Sequence, residues 1–179
     1  MTQTVLTFWF EELAPEQWFN GGDALDLLIT QRFTTLLAQA AAGELYGWRG
    51  SAEGRLAEII VLDQFSRNIY RDSGLAFAQD PMALVLAQEA VHSGALEQLT
   101  SVEQRAFLLM PYMHSESRAI HAVAEPLFKR YADAMSYDFE LKHKAIVDEF
   151  GRYPHRNETL GRISSAAEKA FLLQPGSSF

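Results

Sequence analysis

Three arginines and a histidine crowd into residues 149–162, EFGRYPHRNETLGR, among two glycines, a proline and an asparagine. A second polar group, LDQFSRNIYR at 62–71, sets Asp63, Arg67, Asn68 and Arg71 into an apolar stretch. A third, MPYMHSES at 110–117, carries His114, Ser115 and Glu116. The planar fork of arginine pairs bidentately with carboxylate or phosphate, and imidazole moves protons near neutral pH. If the three groups converge, Arg67, Arg71, Asn68, Arg152, Arg156 and Asn157 can hold an anionic small molecule. His114 and His155 then serve as acid–base groups, with Asp63 and Glu116 orienting them. The base composition points the same way, with 11 arginines against four lysines.

The same residue types also support a purely structural reading. Leu56, Ile60, Asp63 and Arg67 follow i, i+4, i+7, i+11 spacing, so the last two extend an apolar stripe. A buried carboxylate must be paired or protonated, and Arg67 at i+4 is its nearest partner. Arg71 then stands beside Arg67 as a like charge, which is unfavourable unless an anion or another carboxylate lies between them. Ser115 is expected to cap a helix, because adjacent residues at a cap do not face each other as a nucleophile–base pair would. Glu89-x-x-His92 and Glu140-x-x-His143 match the spacing of helical di-iron sites. Both glutamates are expected to face solvent beside polar neighbours, so no metal and no cofactor is assigned.

Composition narrows the function classes. The 179 residues suit one domain, 1–179, and the 48% apolar content can fill its core. The absence of cysteine excludes disulfide and thiolate chemistry and fits a cytoplasmic location. A net charge of −8 argues against nucleic-acid binding, which relies on neutralising phosphates. No apolar run approaches the length of a membrane span, and MTQTVLTFWFEEL lacks the basic start of a signal peptide. The charge is uneven: residues 1–54 hold seven acidic side chains against two basic, whereas 141–162 hold five basic against three acidic.

The elements that must position these groups read as helix after helix, with 3.6-type apolar spacing and almost no strand-like alternation. Asp23 is expected to open a helix stopped by Gly43, and Ser51 to cap one running through Tyr70. Asp80 is expected to cap a helix with Pro81 at its first position, ended by Gly94. Ser101 with Gln104 and Ser165 with Glu168 read as capping boxes. Met110-Pro111 is expected to close its helix, Ser115 to start the next, which Pro126 kinks, and Ser136 to begin the one ending at Gly151. IIVL at 59–62 reads as part of a helix buried on most sides rather than a strand. The aromatic N-terminal third (Phe8, Trp9, Phe10, Trp18, Phe19, Trp48) reads as helix-packing core. The sum is an all-α chain of about eight helices with short links, arranged as antiparallel αα pairs.

The order FWF…QWF, LDQFSRNIYR…AFAQD, MPYMHSES and HKAIVDEFGRYPHRNETLGR resembles a bacterial family known as domain of unknown function 924, from Thr7 to about Leu173. The resemblance implies a tetratricopeptide-like right-handed helical array and brings no reaction with it. The family pattern favours proline where this chain has Ser66. His143 and Arg162 belong to the pattern alongside the site residues above, whereas Glu89 and Glu140 do not.

Two functions fit. One is a polar pocket between helices that binds an anionic small molecule and has acid–base groups at hand. The other is a tetratricopeptide-like scaffold for a protein partner, with the polar groups locking helices together. A homo-oligomer is compatible with either. The pocket requires arginine and histidine heads facing a shared, solvent-reachable cavity. The scaffold requires them saturated by Asp63, Glu116, Asp148 and backbone carbonyls.

Overall fold

The computed structural model describes residues 1–178, and among them the regular structure is helical, without a strand. The α-helices are α1 (Thr2–Thr7), α2 (Gln17–Asn20), α3 (Gly22–Ala41), α4 (Ala52–Ile60), α5 (Ser66–Ile69), α6 (Asp80–His92), α7 (Ala95–Gln98), α8 (Val102–Met113), α9 (Arg118–Tyr131), α10 (Ala134–Phe150) and α11 (Ala166–Leu172). A π-helical turn at Val61–Phe65 joins α4 to α5, so one helical rod runs from Ala52 to Ile69. It is the centre of the fold: every residue from Leu56 to Ser66 is buried. Helix α4 packs on α1, α6, α7 and α8, and the π turn and α5 pack on α3. Helices α8, α9 and α10 follow one another through short links and pack in sequence as αα-hairpins.

Local chemistry explains most of the boundaries. The Ser51 hydroxyl accepts from the Gly54 N–H at 3.1 Å and starts α4 as expected. Gly54 is required there, since a Cβ would meet the Trp48 carbonyl oxygen at 1.9 Å. Ser165 and Glu168 form a complete capping box on α11, whereas Ser101 caps Gln104 without the reciprocal bond. Gly151, at φ +71°, ends α10 in the left-handed conformation and turns the chain into the arginine-rich stretch. IIVL lies wholly inside the central rod with no exposure. Phe8 and Trp9 join the core, packing with Phe33, Phe65 and Phe107.

Several expected starts and stops move by a few residues. Asp23 sits inside the first turn of α3 and gives no side-chain cap. Asp80 is helical rather than a cap, because its carboxylate is drawn to two guanidinium groups. Pro111 does not close α8, which continues to Met113. A proline this near the C-terminus forfeits one backbone bond, and the His114 N–H still closes on the Met110 carbonyl at 2.9 Å. Helix α9 starts at Arg118, so Ser115 is not its cap; the Ser115 carbonyl instead accepts from His121 Nε2 at 2.9 Å. Asp133, not Ser136, caps α10 through the N–H groups of Met135 and Ser136. Helix α9 continues through Pro126.

Candidate functional site

The π turn places the first of the predicted groups. Widening the helix by one residue per turn sets Asp63 and Gln64 side by side, where Gln64 Nε2 donates to Asp63 Oδ2 at 2.6 Å. The other Asp63 oxygen meets Arg67 at 3.0 Å and His114 Nδ1 at 2.8 Å. Burial alone would raise the Asp63 carboxyl, but the charge of Arg67 and the bonds from His114 and Gln64 hold it well below the usual range. Burial and the charge of Arg67 push the His114 imidazole down, against the pull of Asp63. The ring therefore donates its Nδ1 proton to Asp63, leaving Nε2 as its basic atom.

Arg67 is the hub between this pair and the rest of the site. Its Nη1 donates to the Asp63 carbonyl at 2.7 Å, and its two Nη atoms fork onto the Asp80 carboxylate at 3.0 Å each. Asp80 also accepts from Arg156 Nη1 at 3.3 Å. Arg156 is buried between two aromatic faces, its guanidinium carbon 4.5 Å from the Phe77 centroid and 4.6 Å from that of Tyr153. Its Nε has no hydrogen-bond partner among the described residues. Burial and the like charge of Arg67 lower its proton affinity, with Asp80 opposing them. Two cations thus share one carboxylate at the side of a cavity.

That cavity measures about 650 Å³, within the range of small-molecule sites. Its lining includes Gln64, Arg67, Asn68, Arg71, His114, His143, His155 and Arg156, from the 62–71, 110–117 and 149–162 groups and from α10. Burial depresses His143 to about 3 and His155 to about 4, so both rings enter the fold neutral. Arg71 and Asn68 stand at one side and both engage Asp26, Asn68 through a 2.8 Å bond to Oδ1. The like-charge neighbours Arg67 and Arg71 are therefore reconciled by separate carboxylates, Asp63 and Asp80 for one and Asp26 for the other.

Glu116, Arg152 and Asn157 lie outside the cavity lining. Glu116 is gripped by both Nη atoms of Arg162, at 2.6 and 2.8 Å, and accepts from the Tyr153 N–H at 2.6 Å. Arg152 forks onto Glu168, and Asn157 bonds Ser164 and Arg162. Two of the three arginines in 149–162 are thus clamps that shape the loop, and only Arg156 faces the cavity. Asp80, expected only as a helix cap, joins the site by accepting from both Arg67 and Arg156. His143, which is not among the sequence-predicted site residues although it belongs to the family pattern, lines the cavity as well.

Glu140 is not solvent-facing: it is fully buried, with its Oε1 hydrogen-bonded to His121 Nδ1 at 2.8 Å. Its Oε2 lacks a partner among the described residues, and burial raises its proton affinity. Glu58 is likewise committed, to Arg49. Among the described residues, no three metal-ligating side chains group so as to hold an ion.

Comparison with known proteins adds a family without a reaction. The family described as "Bacterial protein of unknown function (DUF924)" matches residues 5–176. The chain is similar to a solved protein of unknown function from Agrobacterium tumefaciens, at 33% identity over 96% of each chain with a TM-score of 0.90. No curated protein matches it significantly.

Proposed function

We propose that this chain, which belongs to that bacterial family of unknown function, binds a small organic anion in the cavity beside Arg67 and Arg156. The observation that carries the reading is the buried Arg156: among the described residues its Nε has no partner, and the one carboxylate it pairs with is shared with Arg67. A buried cation so sparsely paired gains from an anion that supplies further acceptors. The Asp63–His114 pair is the acid–base element of this reading, with His114 Nε2 available to exchange a proton with the bound molecule. The consecutive αα-hairpins form a tetratricopeptide-like frame around it.

The test is thermal unfolding with and without small carboxylates and phosphate, on the parent chain and on Arg156→Lys. Anion-induced stabilisation of the parent, lost in a variant with unchanged helical content, supports the reading. A parent that no anion stabilises excludes it and returns the clusters to the scaffold role that Arg152 and Arg162 already illustrate.

A further inference from the structure

Two helices descend into the cavity and carry opposite chemistry. On one, side-chain exposure falls from Arg71 at 48% through Arg67 at 20% to Asp63 at 1%. On the other, α10, residue exposure falls from Met135 at 61% through Phe139 at 37% to His143 at 6%. Both series use i, i+4 steps; in α10 these keep the side chains on one helical face, while on the rod Arg71 stands in the turn just beyond Ile69. The outer part of the cavity therefore has a charged wall, already neutralised by Asp26, and an apolar wall. Phe19, 57% exposed, lines the cavity too and adds to the apolar side.

We propose that the bound anion is an amphipathic monocarboxylate. Its head reaches Arg67 and Arg156, and its aliphatic or aromatic body lies against Phe19, Met135 and Phe139. The proposal rests on the anion-pocket reading above and adds the class of molecule. Large apolar side chains left open around a polar interior mark a surface that a ligand covers. An inorganic ion, only a few waters in size at about 30 Å³ each, leaves that wall wet.

The charge balance selects one negative charge over two. Arg67 and Arg156 stand against Asp63 and Asp80, a neutral set before anything binds. A monoanion adds one uncompensated charge to this enclosed space, whereas a dianion adds two.

Calorimetric titration of the intact chain with acetate, octanoate, phosphate and octan-1-ol tests this, with Phe139→Ser as the companion variant. Each buried methylene tightens binding about fourfold, so burying about three of the extra methylenes of octanoate makes it bind about sixtyfold more tightly than acetate. Octan-1-ol and phosphate should bind far more weakly than octanoate, and Phe139→Ser should erode the advantage of octanoate while leaving acetate unchanged. Acetate or phosphate binding as tightly as octanoate would overturn the amphipathic ligand and leave the anion pocket standing. Octan-1-ol matching octanoate would remove the role of the charged head, and no binding by any anion would remove both readings. If Phe139→Ser fails to fold, Met135→Ser, at a more exposed position, gives the same comparison.

Discussion

Arg156 and Asp80, 76 residues apart in the chain, meet at 3.3 Å, and the same carboxylate oxygen accepts from Arg67 Nη2 at 3.0 Å. One carboxylate thus links the central helical rod, the start of α6 and the short turn that follows α10. Breaking such a link strands charge: a cation left buried without its counter-ion costs more than the pair contributed.

Asp80→Ala should therefore destabilise the chain by about 2–4 kcal/mol, below the full cost for a buried pair because Arg67 keeps Asp63 and some solvent contact. Urea unfolding checks this, and carboxylate anions should recover part of the loss. A loss below about 0.5 kcal/mol would mean that the two guanidinium groups find solvent or other acceptors.

Asp63→Asn should lower the titration midpoint of His114, because the lost carboxylate favours the imidazolium form while burial and Arg67 oppose it. NMR titration of the His114 ring protons reads the change directly. An upward movement would show that the 2.8 Å contact does not support the charged ring.

Glu140→Gln should cost about 1 kcal/mol or less, since an amide can still hydrogen-bond to His121 Nδ1, whereas Glu140→Ala should cost about 2 kcal/mol by leaving that nitrogen unsatisfied. Comparing the two urea midpoints decides the matter. Equal losses would place the value of Glu140 in its packing and not in its bond to His121.

Acid should destabilise the fold through His143 and His155. Their folded values, about 3 and about 4, lie below the ordinary 6.5, so the unfolded chain binds more protons across that interval. Stability is fully present above pH 6.5 and falls as the pH drops, by up to about 1.4 kcal/mol per unit for each ring. The loss from His155 levels off near pH 4 and that from His143 near pH 3. Urea midpoints between pH 7 and pH 4 measure the slope, and a His143→Gln, His155→Gln double variant should flatten it. An unchanged slope in that variant would assign the acid sensitivity to other groups.

The helices were legible from the sequence because their causes are local. Apolar spacing reports which face is buried within a turn or two, and Ser51, Ser165 and Gly151 act on backbone groups within four residues of themselves. The buried carboxylate at Asp63 and its i+4 partner Arg67 were legible for the same reason. The share each arginine takes of each carboxylate is a long-range choice. Arg152 and Arg156 are four residues apart with the same chemistry, yet one clamps Glu168 and the other lines the cavity. Neighbouring sequence cannot separate them, because what differs is the helix that packs opposite. The π turn that aligns Asp63 with Gln64 escaped periodicity, which assumes an even 3.6-residue repeat. Sequence by itself determined an all-helical chain with three polar groups in apolar surroundings. Tertiary packing decided which of those groups were saturated and which were left around an open space, because a charge is satisfied by whatever stands within about 3 Å of it and not by its neighbours along the chain.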